Sequence, residues 1–256
     1  MDRDIRTVED VLRLLDELFA PEADRWTRDA AAWWDGFYSD RNRAVPFFAA
    51  KPDENLLSCL DRGLIRPGRA LDLGCGPGRN ALFLAARGFE VDAVDLSPTA
   101  IAWAEERARE AGAGAAVRFH RGDAFALTGS TGELRGPYDL VYDSGCFHHL
   151  PPHRRVSHLA LLERVLAPGG HFALTCFAAG RMGSELPDTA FYREPGLHGG
   201  LAYTPEALRR IFSDFQEVEL RAMRQQPADS ALFGEEFLWT ALFRRPVRPA
   251  GPVTRH

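Results

Sequence analysis

Glycine and acidic residues occur together in one short segment whose residue types suit the binding of a charged ligand. Residues 71–80 read Leu-Asp-Leu-Gly-Cys-Gly-Pro-Gly-Arg-Asn. Apolar residues around Asp72 predict a buried strand, the three glycines predict a sharp turn, and helical spacing resumes at Asn80. A glycine turn between a strand and a helix lets a ligand approach the backbone closely.

The glycine spacing distinguishes between two classes of ligand. A dinucleotide fingerprint has its third glycine three residues after the second. That position is Arg79 here, and the third glycine comes one residue earlier, at Gly78. Asp72 would repel a pyrophosphate, whereas it suits a cationic ligand. The pattern therefore favours a cation, and a nicotinamide-dependent oxidoreductase is the less favoured alternative.

A second carboxylate follows the next strand-like run, residues 89–94. Asp95 comes about 20 positions after the glycine turn, where an acidic residue can accept both hydroxyls of a ribose. Ser97 and Pro98 form a helix start, so Asp95 could instead be a charge placed at that start. The glycine turn upstream favours the ribose role.

Two more strand-like runs lead to carboxylates. The run 116–120 precedes Asp123, where a carboxylate could accept a hydrogen bond from an exocyclic amine such as that of adenine. The run 138–142 ends at Asp143. An acidic residue therefore lies within the first predicted strand, and others follow the next three.

These segments, in this order, resemble a class I S-adenosylmethionine-dependent methyltransferase over roughly residues 50–245. The Gly-Arg-Asn at 78–80 resembles the tellurite-resistance and thiopurine methyltransferase branch of that family. The resemblance implies that the glycine turn holds the methionine part of the cofactor, that Asp95 binds its ribose and that Asp123 binds its adenine. The cofactor-binding residues predicted in this way are Tyr38, Asp72, Gly74, Cys75, Gly76, Asn80, Asp95, Leu96, Asp123, Ala124 and Asp143.

A sheet must bring these residues together. Strand-like and helical segments alternate along the chain, which predicts an α/β fold of the Rossmann-like, doubly wound type with a mostly parallel, seven-stranded sheet. Right-handed connections place the strand ends at 74, 95, 123 and 143 along one edge. Ligands bind outside this edge of such sheets.

The regions outside the sheet are predicted to cover the cofactor and to select the acceptor. We expect an N-terminal helical lead over 1–62, a core over 63–245 with an acceptor insert at 178–203, and a disordered tail over 246–256. The first lead helix has an apolar stripe that includes Val8, Val11 and Leu12. Further aromatic residues of the lead are Trp26, Trp33, Trp34, Tyr38, Phe47 and Phe48, and those of the insert are Tyr192, His198 and Tyr203.

The aromatic lead has two interpretations. In the resembled branch such a lead closes over the cofactor as a lid, with Tyr38 on the cofactor's carboxylate. The alternative is that these rings only pack the lead helices against the sheet.

Two adjacent histidines are the candidate catalytic residues. His148 and His149 follow Asp143 closely, and either could act as a general base or orient the acceptor. A histidine pair before a helix can also serve packing or capping. Cys146 is a weak candidate for a nucleophile because methyl transfer needs no covalent step.

Composition excludes several classes of function. The chain has 256 residues, a net charge of −5 and 45% hydrophobic residues, which is typical of a globular enzyme and unsuited to nucleic acid or an anionic membrane. Its four cysteines include no C-x-x-C pair, and its histidines lack metal-ligand spacing. We expect a cytoplasmic protein without a signal peptide, a membrane span or a bound metal.

The sequence thus predicts methyl transfer from S-adenosylmethionine to a small molecule by in-line displacement at an N, O or S atom. A protein of the same fold that binds this cofactor without methylating is the alternative. The oligomeric state is not predicted.

Overall fold

The computed structural model describes residues 5–18, 30–129, 131–193 and 199–247. Within them the strands are β1 Arg69–Leu73, β2 Glu90–Asp95, β3 Val117–Arg121, β4 Tyr138–Ser144, β5 Leu166–Phe177, β6 Gln216–Ala222 and β7 Leu238–Arg244. The helices are α1 Val8–Leu18, α2 Ala30–Ser39, α3 Glu54–Asp61, α4 Arg79–Ala86, α5 Pro98–Glu110, α6 Ala124–Leu127, α7 Arg155–Val165 and α8 Pro205–Ile211. Predicted positions Trp26 and His198 lie outside the described residues.

The strands form one sheet in the order β3-β2-β1-β4-β5-β7-β6. The first five are parallel to one another, and β7 runs antiparallel to both of its neighbours. This architecture confirms the predicted fold class. Leu73, the last residue of β1, pairs with Val94 in β2 and with Asp143 in β4, so the turns after these three strands meet at one edge.

Burial on both faces explains the apolar character of β1. Leu71 and Leu73 belong to one buried cluster, together with Phe172, whereas Ala70 and Leu140 belong to the cluster on the opposite face. A parallel strand covered on both sides needs apolar side chains at successive positions. Asp72 interrupts this pattern as a buried carboxylate, which points to a role other than apolar packing.

Two elements differ from the sequence-based expectation. The sequence predicts the fifth strand over 170–176, but this strand already begins at Leu166, because Leu166 pairs with Tyr138 ahead of a register shift. The stripe of α1 does not pack as predicted: Leu12 is buried, but Val8 is 70% exposed. Charged side chains of this helix also contact the segment that precedes α7, as described below.

Helix α2 lies against α5, next to the end of β2. One carboxylate oxygen of Asp35 accepts hydrogen bonds from the Ser97 hydroxyl at 2.9 Å and from the Thr99 amide at 2.8 Å. The Tyr38 and Phe48 rings stack with their centroids 5.5 Å apart, and Trp103 of α5 meets Phe48 edge-on. The lead helix is thereby positioned over the carboxyl edge of the sheet.

Candidate functional site

A cavity of about 680 Å³ opens at the carboxyl edge of the sheet, where β1, β2 and β4 end. This volume lies within the range of small-molecule sites. Of the predicted site residues, those that line it are Tyr38, Asp72, Gly74, Cys75, Gly76, Asn80, Asp95, Leu96, Asp123, Ala124, His148 and His149. The structure therefore brings together residues that are more than 100 positions apart in the chain.

The glycine turn between β1 and α4 forms the floor of the cavity. Gly74 and Gly76 have φ angles of 62° and 51°, which side-chain-bearing residues rarely adopt. A Cβ atom on Gly76 would lie 2.9 Å from the Tyr38 hydroxyl oxygen, and one on Gly74 would lie 3.0 Å from the Cys146 Cβ. Glycine is therefore required at both positions, because a side chain would strain the backbone and would contact Tyr38 or Cys146 too closely.

Asp72 projects into this cavity from β1 with an unsatisfied carboxylate oxygen. The residue is 2% exposed, and its Oδ2 atom has no hydrogen-bond partner. Burial raises the pKa of Asp72 to about 8, and Arg79 opposes this rise. An unpaired buried acceptor is costly unless a ligand satisfies it. A cationic group of a ligand would do so.

Asp95 makes the helix-start contact that the sequence left open as one alternative, and its carboxylate also lines the cavity. Its two carboxylate oxygens accept hydrogen bonds from the Gly76 amide and the Ser97 amide, each at 2.9 Å, so it ties the glycine turn to the start of α5. Burial raises its pKa to about 6 against these backbone bonds. Each oxygen keeps a further lone pair, so the carboxylate facing the cavity can still accept from hydroxyls.

The rim of the cavity is formed by α6 and by charged contacts to α1. Asp123 caps α6 by accepting a hydrogen bond from the Phe125 amide at 2.9 Å. Asp16 of α1 lies 2.7 Å from the His153 Nε2 atom and forms an ion pair with Arg154. Burial acts to raise the pKa of Asp16, but these two hydrogen bonds outweigh it and lower that pKa.

Two predicted cofactor residues are engaged elsewhere. Asp143 is fully buried and does not line the cavity, because its Oδ1 accepts from the Cys146 and Phe147 amides and its Oδ2 lies 3.2 Å from His158. It therefore shapes the turn that carries the two histidines. Asn80 does line the cavity, but its side-chain amide is hydrogen-bonded to the backbone and carboxylate of Asp53.

The other half of the cavity is mostly aromatic and apolar. Its lining residues are Trp34, Phe47, His148, His149, Phe177, Met182, Phe233, Phe237 and Leu238. The ring of His148 stacks on Phe177 at a centroid distance of 3.7 Å, and His149 meets Trp34 edge-on at 5.0 Å. We call this region the acceptor half.

The insert supports this wall more than it lines it. Gly200 approaches Phe177 so closely that a Cβ atom would lie 2.8 Å from that ring, and the Leu201 amide donates to the His148 carbonyl oxygen at 2.8 Å. Tyr192 lies 2.9 Å from His153 and Tyr203 accepts from Arg155, so neither predicted insert tyrosine reaches the cavity. Among the described residues of the insert, Met182 lines the cavity.

Among the described residues, the site contains buried thiols and no cluster of metal ligands. Burial raises the pKa of the Cys75 and Cys146 thiols, which keeps them protonated. Across the described residues, no group of three or more metal-ligating side chains is present. The described part of the chain also contains no helix that is long and apolar enough to cross a membrane.

Sequence reasoning missed the polar floor of the acceptor half. Arg79 lines the cavity and forms a buried ion pair with Asp53, which lies 26 positions earlier at the start of α3. Asp53 occupies the N-cap position of that helix, and its side chain makes no capping hydrogen bond. No local signal distinguishes this aspartate from an ordinary helix cap. Arg79 was identifiable only as the residue after the glycine turn.

Comparison with known proteins places this site in context. The sequence profile of a methyltransferase domain matches residues 70–170. A 2-heptyl-1-hydroxyquinolin-4(1H)-one methyltransferase of Mycobacteroides abscessus is 29% identical over 174 residues, which are 68% of this chain and 69% of that protein. An uncharacterized methyltransferase of Schizosaccharomyces pombe is 32% identical over 108 residues, which are 42% of this chain and 70% of that protein.

A solved structure extends the similarity to nearly the whole chain. It is that of 1,6-didemethyltoxoflavin-N1-methyltransferase from Burkholderia thailandensis with bound 1,6-didemethyltoxoflavin and S-adenosylhomocysteine. The TM-score is 0.58, the identity is 21%, and the match covers 96% of this chain and 93% of that chain. A likeness at this identity shows a common fold.

Proposed function

Since this chain belongs to the class I S-adenosylmethionine-dependent methyltransferases, we propose that it methylates a planar aromatic or heteroaromatic small molecule. The aromatic lining of the acceptor half is the observation that carries this proposal. Flat rings gain from stacked and edge-to-face contacts in such a site, beyond the apolar area that they bury.

We call the part of the cavity lined by Asp72, the glycine turn, Asp95 and Asp123 the cofactor half. Its residues fit S-adenosylmethionine, which supplies a methyl group on a positively charged sulfur when bound. The unpaired oxygen of Asp72 takes the cationic methionine part. Asp95 accepts from the ribose hydroxyls, and Asp123 at the rim accepts from the adenine amine. Tyr38, beside the glycine turn, donates a hydrogen bond from its hydroxyl to the carboxylate of the cofactor's methionine part.

Two relatives support the acceptor class by their names. One acts on a hydroxyquinolinone, and the structural relative binds didemethyltoxoflavin; both are flat ring systems. In this chain the walls that would face such a ring are Trp34, Phe47, Phe177 and Phe237. We propose that the acceptor stacks there, with its nucleophilic atom turned towards the glycine turn.

Alignment of the two reactants is the main contribution of the protein to catalysis. The methyl group moves in line between donor and acceptor, and holding both in place can supply about 7–11 kcal/mol of the barrier reduction. Where the acceptor atom carries a proton, a base must remove it. His149 takes this role, because it is half-buried at the cavity, while His148 is packed against Phe177 and orients the wall.

A series of matched acceptors tests the proposal. The purified protein is incubated with S-adenosylmethionine and 1-naphthol, 1-naphthylamine or 1-naphthalenethiol, and mass spectrometry detects the gain of one methyl group. Decahydro-1-naphthol has the same carbon skeleton without the aromatic ring and serves as the control. We expect methylation of at least one aromatic member and none of the saturated alcohol.

The three aromatic members also identify the acceptor atom, because they differ only in O, N or S. Equal methylation of the saturated alcohol would contradict the aromatic acceptor class. Binding of S-adenosylhomocysteine with no methyl gain in any member would favour a protein that holds the cofactor without transferring its methyl group.

A further inference from the structure

We infer that the buried ion pair of Arg79 and Asp53 positions Phe233 and thereby sets the acceptor specificity of this cavity. The inference rests on the proposed function, since it concerns the acceptor half of the same site. It assigns Arg79 and Asp53 as positioning residues that act through Phe233. We refer to these three residues as the brace.

The ion pair is held more firmly than a surface contact. The side chain of Asp53 is fully buried and that of Arg79 is 7% exposed. The second oxygen of Asp53 accepts from the Tyr142 hydroxyl at 2.5 Å and from the Ser144 hydroxyl at 2.6 Å. Arg79 also donates to Ser144 at 3.0 Å. Several donors therefore fix the carboxylate, which in turn fixes the guanidinium.

Phe233 is attached to this ion pair in two ways. The Arg79 guanidinium carbon lies 4.5 Å from the centroid of the Phe233 ring, which is a cation–π contact. The Phe233 amide donates to the Pro52 carbonyl at 2.8 Å, and the Glu54 amide donates to the Phe233 carbonyl at 2.9 Å. Backbone and side chain of Phe233 thus depend on the segment that carries Asp53.

The brace connects the two halves of the cavity. Arg79 is the first residue of α4, directly after the glycine turn, and Phe233 is part of the acceptor half. Asn80, next to Arg79, is bound to Asp53 as well. A buried ion pair contributes little net stability and is better attested as a device that specifies one arrangement. The arrangement specified here is the position of one acceptor wall relative to the glycine turn.

Arg79→Lys is the informative variant, because lysine keeps the positive charge and loses the planar fork that can both pair and stack. Arg87→Lys is the matched control. Arg87 ends the same helix, lies 4.7 Å from the Phe83 ring and 3.9 Å from Asp61, and has a 44% exposed side chain away from the cavity. The two substitutions therefore change the same chemistry at a buried and an exposed site.

The primary measurement is the affinity for 1-naphthol in protein saturated with S-adenosylhomocysteine. We expect Arg79→Lys to weaken 1-naphthol binding about tenfold and to change the affinity for S-adenosylhomocysteine less than about threefold. Arg87→Lys leaves both affinities unchanged. In a Phe233→Leu background the effect of Arg79→Lys should shrink, because its route of action has been removed.

Hydrogen exchange provides a readout that needs no acceptor. The amides of residues 231–237 should exchange faster in Arg79→Lys than in the wild type, and those of Arg87→Lys should not. Asp53→Asn should have the same effect and replaces Arg79→Lys if that variant does not fold.

Three results would overturn the inference: unchanged exchange at 231–237, equal weakening of both ligands, or the same loss of 1-naphthol binding with and without Phe233. If wild-type protein binds 1-naphthol but does not methylate it, the proposed function fails. The 1-naphthol affinities of wild type and Arg79→Lys then still test whether the ion pair positions Phe233. If wild-type protein does not bind 1-naphthol, exchange alone decides.

Discussion

At the scale of single residues, we expect Asp72 to make cofactor binding depend on pH. Burial raises its pKa to about 8 in the ligand-free protein, so it carries a proton over much of the neutral range. A cationic group beside it favours the ionised form, and binding below that pH must release the proton. We therefore expect the affinity for S-adenosylhomocysteine to increase as the pH rises and to level off above about 8.

Calorimetry in two buffers of different ionisation enthalpy would measure this proton release. Asp72→Asn should remove the release, while Asp61→Asn, on the exposed end of α3, should keep it.

The raised pKa of Asp72 also predicts how the stability of the ligand-free protein depends on pH. Since the folded state holds this proton above the ordinary value of 3.8, the contribution of Asp72 to the free energy of unfolding falls as the pH rises from 3.8 to about 8. Asp72→Asn should thus stabilise the free protein at pH 8, and an unchanged melting temperature there would contradict the assignment.

The two histidines should differ in what their substitution affects. His149→Gln removes the proposed base and should reduce kcat about 100-fold for an acceptor with a removable proton, with the affinity for S-adenosylhomocysteine unchanged. His148→Gln removes the ring stacked on Phe177 and should lower the melting temperature and weaken acceptor binding. The measurement is the initial rate of each variant with the naphthyl compound that the wild type methylates. Full activity of both variants would mean that alignment alone suffices.

At the scale of elements, helix α2 is the candidate lid. It contributes Trp34 and Tyr38 to the cavity and is held to α5 through Asp35. We expect the amides of residues 30–48 to gain protection from hydrogen exchange when S-adenosylhomocysteine is added, because the helix closes over the ligand and excludes water. Equal exchange with and without the ligand would mean that the lead is docked permanently.

Asp35→Asn tests the same lid by weakening its attachment. The Ser97 and Thr99 hydrogen bonds become weaker without the negative charge, so cofactor affinity should fall about three- to tenfold while the core remains folded. Asp40→Asn is the matched control, since the Asp40 side chain, within the described part of the chain, accepts a hydrogen bond from the Asn42 amide of its own turn at 3.1 Å. A similar loss in both variants would argue against a specific role for this attachment.

Helix α1 is attached by charge, in contrast to α2. Asp16 and Glu9 contact Arg154, and Asp16 also contacts His153, which lies against Tyr192 of the insert. At the mouth of the cavity, the N-terminal lead therefore contacts the segment that precedes α7, and this segment contacts the insert. This arrangement explains how α1 is held although Val8 of its apolar stripe is exposed.

At the scale of the whole molecule, the family, the fold class and the cofactor predicted from sequence are confirmed. The domain boundaries and the roles of the individual site residues remain predictions, whereas the positions of those residues in the fold are observed. Most predicted cofactor residues do line one cavity, because many of them lie at or just after the ends of parallel strands, and such strand ends meet at one edge. Asp143 shows the limit of this rule, since a strand-end carboxylate can also turn inward to hold its own loop.

The sequence by itself determined the glycine turn, the alternation of strands and helices, and with them the cofactor half of the site. These features are local: glycine spacing, apolar period and strand-end residues can all be read within about 20 positions. Only the tertiary structure decided the rest of the acceptor half, beyond the two histidines that the sequence predicted. Its walls join residues as distant as Trp34, Phe177 and Phe233, and the ion pair of Arg79 and Asp53 leaves no local pattern. Packing between distant segments depends on the three-dimensional fit of side chains, which is why no spacing in the chain predicted it.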